Sequence, residues 1–141
     1  MTEVRATSSD RKLRVSGAVV SAVAGLFHLP VGIIGLADPR MTGIIFGEDA
    51  VLVVPAFFLL LGAFQLLWAW ITVTSGNELI GIGIFAFLAS IILYLFALAT
   101  PLPFGVIQQT ISLPGALTKV VEAAYVVIAL FLVSRPSQER L

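Results

Sequence analysis

Four long apolar runs, separated by short polar stretches, organise the chain: about 15–36, 50–73, 79–99, and a fourth ending at 133 that begins at Leu113 or Leu117. Each is close to the ~20 residues that a helix needs to cross ~30 Å of hydrocarbon. Lipid offers the backbone no hydrogen-bond partner, so such runs are helices and not strands. The pattern predicts an all-α fold, an integral membrane four-helix bundle over residues 15–133. A basic tail (1–14) precedes it and a second tail (134–141) follows. The first run has a basic approach and a "SAVA" sequence, as a secretory signal would. It is longer than the ~7–15 apolar residues of a signal core, and is expected to stay as a span.

Local signals mark the boundaries. Asp38-Pro39-Arg40 ends the first run, because proline disfavours a helical residue before it. Ser75 and Glu78 have the spacing of a capping box that opens the third run. Ser112 followed by Pro114 reads as a cap and first-turn proline for the fourth. The connection Thr100–Gly115 has no charged residue, and Met41–Asp49 carries an apolar patch. Loops in water are polar as a rule, so these two are expected at the membrane interface, under another chain, or folded onto their own bundle. No internal repeat or inverted symmetry stands out, which weakens a transporter reading.

Polar residues inside the runs are the best pointers to function in a membrane sequence. At 100° per residue, Gly17, Ser21, Ala24, His28, Gly32 and Gly35 fall within about 80° of one another on the first helix. Such a small-residue stripe lets helices approach closely. His28 therefore faces protein, and Pro30 is expected to bend the helix nearby. The second helix has a stripe of Pro55, Gly62, Gln65 and Ala69; the third has Gly83, Ala86, Ser90, Tyr94 and Ala97. Gln65, Ser90 and Tyr94 read as interhelical hydrogen-bonding groups, and Gly81 and Gly83 as packing glycines.

The fourth run holds the most expensive pair, Lys119 and Glu122, which can meet at i, i+3. Lys119 can instead reach the surface along its own stem or pair with another chain. Counted from the ends of their runs, His28 and Glu122 lie at similar depth and are expected to approach each other.

Composition narrows the function classes. Hydrophobic residues make up 59% of the 141-residue chain and charged ones 11%, against the roughly one quarter of a soluble domain. The formal net charge is zero, which excludes the electrostatic footprint of a nucleic-acid binder. There is no cysteine, one histidine and two methionines, too few ligands for a metal centre built by this chain alone. No Ser-His-acid arrangement, phosphate loop or carboxylate pair is present, so no catalytic, cofactor-binding or metal-binding residue is assigned. Arg5, Arg11, Lys12 and Arg14 precede the first run, and Arg135 and Arg140 follow the last. By the positive-inside rule both termini face the cytoplasm of a multi-pass plasma-membrane protein. Trp68 and Trp70 near the inner end of the second run suit the interfacial aromatic belt.

Across roughly residues 25 to 130 the chain resembles a broad group of uncharacterised small four-helix membrane proteins of actinobacteria and archaea. The likeness is carried by His28, where the group has a first-helix "LH", by Gln65 with Trp68, by the Pro103–Gly105 turn and by Glu122. Where many of that group have an arginine after the third helix, Thr100 is here followed by Pro101. The chain also looks like the small accessory subunits of archaeal ammonia monooxygenase. That resemblance implies a non-catalytic subunit of a larger complex, in contact with the lipid bilayer and other membrane subunits, with copper held by a partner subunit. The alternative is a stand-alone small transporter or ion-binding protein that uses His28, Gln65 and Glu122.

Overall fold

The computed structural model describes residues 8–100 and 113–135, and all its regular elements are helical. In chain order they are α1 (Ser8–Ala37), α2 (Pro39–Phe46), a 3-10 turn (Glu48–Ala50), α3 (Val53–Thr74), α4 (Asn77–Ala99) and α5 (Leu113–Ser134). α1, α3, α4 and α5 are long and apolar enough to cross a membrane, and their outward faces are apolar. Successive spans alternate in direction. The end carrying Ser8, the α3–α4 turn and Ser134 is called here the terminal end; the opposite one is the distal end.

The four spans close a ring in the order α1, α3, α4, α5, with α1 and α3 the most intimate pair. The stripe on α1 explains that intimacy. Gly17, Ser21, Ala24, His28 and Gly32 are all buried. At the closest crossing Gly25 meets Gly62, where a Cβ on Gly25 would lie 2.8 Å from the Gly62 carbonyl oxygen. Backbones this near each other exclude a side chain, and they lock the register in which α1 polar groups meet those of α3. Pro30 sits within α1 without interrupting it.

The terminal half is filled by a core of Ala24, Trp68, Ile80, Ile84, Phe87, Tyr125, Val126, Ala129 and Leu132. Trp68 stacks on Phe64 at 4.9 Å and Phe87 on Tyr125 at 4.2 Å between ring centroids. Trp70 is 64% exposed, as a belt position requires; Trp68 is buried, contrary to the sequence reading. Trp68 lies one turn from Gln65 and shares its inward face, whereas Trp70 points away from it. Gly83 provides the indole with its seat, but nothing lies within 4 Å of a Cβ built on Gly81, which is not a packing glycine.

The terminal end is tied by polar contacts. The Arg14 guanidinium donates to the Thr72 and Ser75 carbonyl oxygens and to Asn77 Oδ1. Asn77 Nδ2 donates to the Leu132 carbonyl, and Arg135 pairs with Asp10. These bonds account for the first difference from expectation. α1 starts at Ser8, so residues 8–14 are helical and run continuously into the first apolar run. The expected capping box is also not formed. Ser75 closes α3, and Gly76 precedes α4 with no side-chain cap.

At the distal end Asp38 does terminate α1, but it also caps α2 by accepting from the Met41 backbone N–H at 3.0 Å. The stretch read as a loop is thus a short helix, anchored where Thr42 Oγ1 donates to the Gly35 carbonyl. Met41, Ile44 and Ile45 stay exposed on it. Gly47 reverses the chain after it at φ 100°, a conformation open to glycine. The Pro103–Gly105 turn and the Ser112 cap lie outside the described residues.

The two glycines of α4 give a paired test. Gly83→Ala would overlap the Trp68 indole nitrogen and is expected to destabilise by about 1–3 kcal/mol. Gly81→Ala is expected to be neutral or stabilising by up to ~1 kcal/mol. Thermal unfolding of both variants in detergent compares them.

Candidate functional site

A polar layer crosses the bundle above the aromatic core, with a contribution from every span. His28, Ser90 and Glu122 each lie nine residues from the distal end of their helix, at Ala37, Ala99 and Leu113 respectively. At 1.5 Å per residue that is a common depth of roughly 13–14 Å. Because α5 begins at Leu113, Glu122 stands near mid-span.

Glu122 is the hub and is fully buried. Its Oε1 accepts from Gln65 Nε2 at 2.8 Å and from Ser90 Oγ at 3.1 Å. Its Oε2 accepts from Lys119 Nζ at 2.7 Å, one turn earlier on the same helix. Lys119 also donates to Ser90 Oγ at 2.8 Å and lies 5.5 Å from the centre of the Tyr94 ring. The lysine side chain is 14% exposed, so the pair is the layer's one edge toward the surroundings. Lysine and carboxylate neutralise each other, which removes most of the cost of holding either charge in a low dielectric.

His28 completes the layer from α1. Its Nδ1 lies 2.8 Å from Gln65 Oε1 and 3.0 Å from the carbonyl oxygen of Ala24. Its Nε2 faces Glu122 Oε1 at 3.7 Å, beyond direct hydrogen bonding. The ring stacks on Phe58 at 5.4 Å. Ser21, two turns from His28 on α1, donates to the Gln65 backbone carbonyl at 2.7 Å and holds that segment of α3 against α1.

Of the polar residues singled out from sequence, His28, Gln65, Ser90, Lys119 and Glu122 therefore converge on one network. His28 and Glu122 do approach, and Lys119 pairs within its own chain. Tyr94 does not join by its hydroxyl, which is buried without a hydrogen-bond partner; it contributes its ring beneath Lys119. Sequence reasoning missed a second polar contact, between Thr72 Oγ1 and Tyr125 Oη at 3.2 Å. The available signal was spacing: Thr72 follows Gln65 by seven positions, which puts it on the inward face already identified, and Tyr125 follows Glu122 by three.

The arrangement supplies one imidazole, one carboxylate and one amine in a buried layer. It can hold or exchange a proton. Among the described residues no three His, Cys, Asp or Glu side chains group so as to hold a metal ion. The described residues define the class: a helical bundle whose four long apolar helices fit a multi-pass membrane protein, with outward faces suited to lipid and a polar layer inside. Comparison with protein-family models, curated proteins and solved structures found no match.

Breaking the buried pair one partner at a time tests the network. Glu122→Leu or Lys119→Met alone is expected to cost about 3–5 kcal/mol, because each strands a charge. The double substitution is expected to recover most of that loss, measured as a double-mutant cycle on unfolding in detergent.

Proposed function

We propose that this chain is a non-catalytic accessory subunit of a larger membrane-embedded enzyme complex. The observation that carries the reading is how its polar groups are spent. The side chains that could do chemistry within the spans are bonded to one another across all four helices, and the outward faces are left apolar. A bundle knitted this way presents packing surface, suited to lipid on some sides and neighbouring subunits on others. The exposed apolar residues of α2 extend that surface beyond the spans. The resemblance to accessory subunits of ammonia monooxygenase names one complex to examine, in which a partner subunit would ligate the copper. Solubilisation of native membranes in mild detergent, followed by mass spectrometry of comigrating chains, is expected to recover stoichiometric partners. A chain that migrates alone, and is as stable alone as in the membrane, would overturn the reading.

A second reading, a stand-alone small transporter or ion-binding protein, is favoured by one specific observation. His28, Gln65 and Glu122, the residues it requires, lie within one buried cluster. Stoichiometric metal in the isolated chain would move the balance to it.

We further propose that the protein lies in the plasma membrane with its terminal end in the cytoplasm, in keeping with the basic residues Arg11, Lys12, Arg14 and Arg135 at that end. The chain has no native cysteine, so introduced ones report cleanly. Gly76→Cys is expected to react with a membrane-impermeant maleimide only after the cells are opened, and Arg40→Cys in intact cells.

A further inference from the structure

We infer that the gap between His28 Nε2 and Glu122 Oε1 is a binding site for a single proton inside the membrane layer. The argument begins at the other ring nitrogen. Nδ1 is within hydrogen-bond distance of two acceptors, the Ala24 carbonyl and Gln65 Oε1. An imidazole nitrogen between two acceptors must carry hydrogen. The Gln65 amide cannot be turned to relax this. Reversed, it would put Oε1 against the Glu122 carboxylate and leave Nδ1 facing the Ala24 oxygen as acceptor against acceptor. The neutral ring is therefore the Nδ1–H tautomer, with its lone pair on Nε2.

That lone pair looks at a carboxylate oxygen 3.7 Å away. Two acceptors face each other across a space that a hydrogen would turn into a charge-assisted bond. Glu122 already accepts from Gln65, Ser90 and Lys119, so the open hydrogen-bonding position at the gap is the lone pair on His28 Nε2. A proton delivered as hydronium leaves its water, breaking one O–H bond, and forms an N–H bond at Nε2. The layer goes from neutral, with one ammonium and one carboxylate, to a charge of plus one. The groups that face the ring are Glu122 and Lys119 from α5 and Gln65 and Phe58 from α3. Glu122 favours the added charge and Lys119 opposes it.

Binding also has a structural consequence. The new donor competes at Oε1 with the Ser90 hydroxyl, whose bond is the longest of the three at 3.1 Å. Ser90 is itself held by Lys119, so a proton taken up on α1 is felt on α4 and α5.

This deepens the ion-binding reading by naming the proton as the ion, and it applies equally to a subunit in a complex. The chain has one histidine, so ¹⁵N-histidine labelling of the full-length protein in lipid bilayers gives one ring to observe by NMR across a pH titration. The expected result is a neutral ring with hydrogen on Nδ1, and a second hydrogen appearing at Nε2 as the pH falls. In Glu122→Gln, at the pH where the wild type is half protonated, the ratio of protonated to neutral ring is expected to fall at least about tenfold. A neutral ring with its hydrogen on Nε2, a ring that never gains the second proton, or a ratio unchanged in Glu122→Gln would each overturn the proposal. If Glu122→Gln does not fold, the wild-type tautomer and titration decide the question. A preparation that binds sodium or copper but fails these NMR criteria overturns the proton site and leaves the broader ion-binding reading standing.

Discussion

A carboxylate in the middle of a hydrocarbon layer has to be surrounded by donors, because the alternative is a desolvation cost of several kcal/mol for the bare ion. Glu122 is such a group, and the rest of the bundle is arranged around meeting its needs. Lys119 supplies the countercharge from one turn away. One helix cannot provide the remaining donors, so they come from Ser90 on α4 and Gln65 on α3. Gln65 can turn its amide nitrogen to Glu122 only if something accommodates its oxygen, and His28 on α1 does so. One charge thereby fixes the rotation of all four spans about their axes.

Two devices make that convergence possible. The glycine contact between α1 and α3 brings the backbones close enough for His28 to reach Gln65, and Ser21 pins the same segment from below. In the terminal half the Trp68 indole rests on Gly83, and the stacked Phe87 and Tyr125 rings lie between α4 and α5. The bundle is thus a polar layer on an aromatic plug, with Arg14 and Asn77 closing the terminal end through backbone carbonyls that the helix ends would otherwise leave open. Dispersion and hydrogen bonding hold it together, since helices surrounded by lipid gain little from the hydrophobic effect.

The same geometry bears on function. The ionisable and amide side chains of the layer bond to one another, so the surface left for contact with surroundings is the apolar outer faces and α2. Within the layer the least satisfied junction is the one between His28 and Glu122, where the ring and the carboxylate face each other without a bond. A subunit built to brace a complex and a layer able to take up a proton are compatible, because the first property belongs to the outer surface and the second to the interior.

The sequence by itself determined the spans and the inward faces. Helix formation is compulsory in lipid, and helical periodicity alone places Ser21, His28, Gln65 and Ser90 on stripes that avoid hydrocarbon. Depth counting even anticipated the approach of His28 to Glu122. It also misplaced Trp68, treated Gly81 like Gly83, and read α2 as a loop, since the type of a residue does not say which neighbour it meets. Whether Lys119 turned inward to Glu122 or outward to the surface was open at i, i+3, because both positions lie within reach of the same stem. Only the tertiary structure decided those matters, and only it set the order of contacts around Glu122. The physical reason is that a hydrogen bond between helices depends on their rotation and separation. Those follow from backbone approaches such as Gly25 on Gly62, which no single helix encodes.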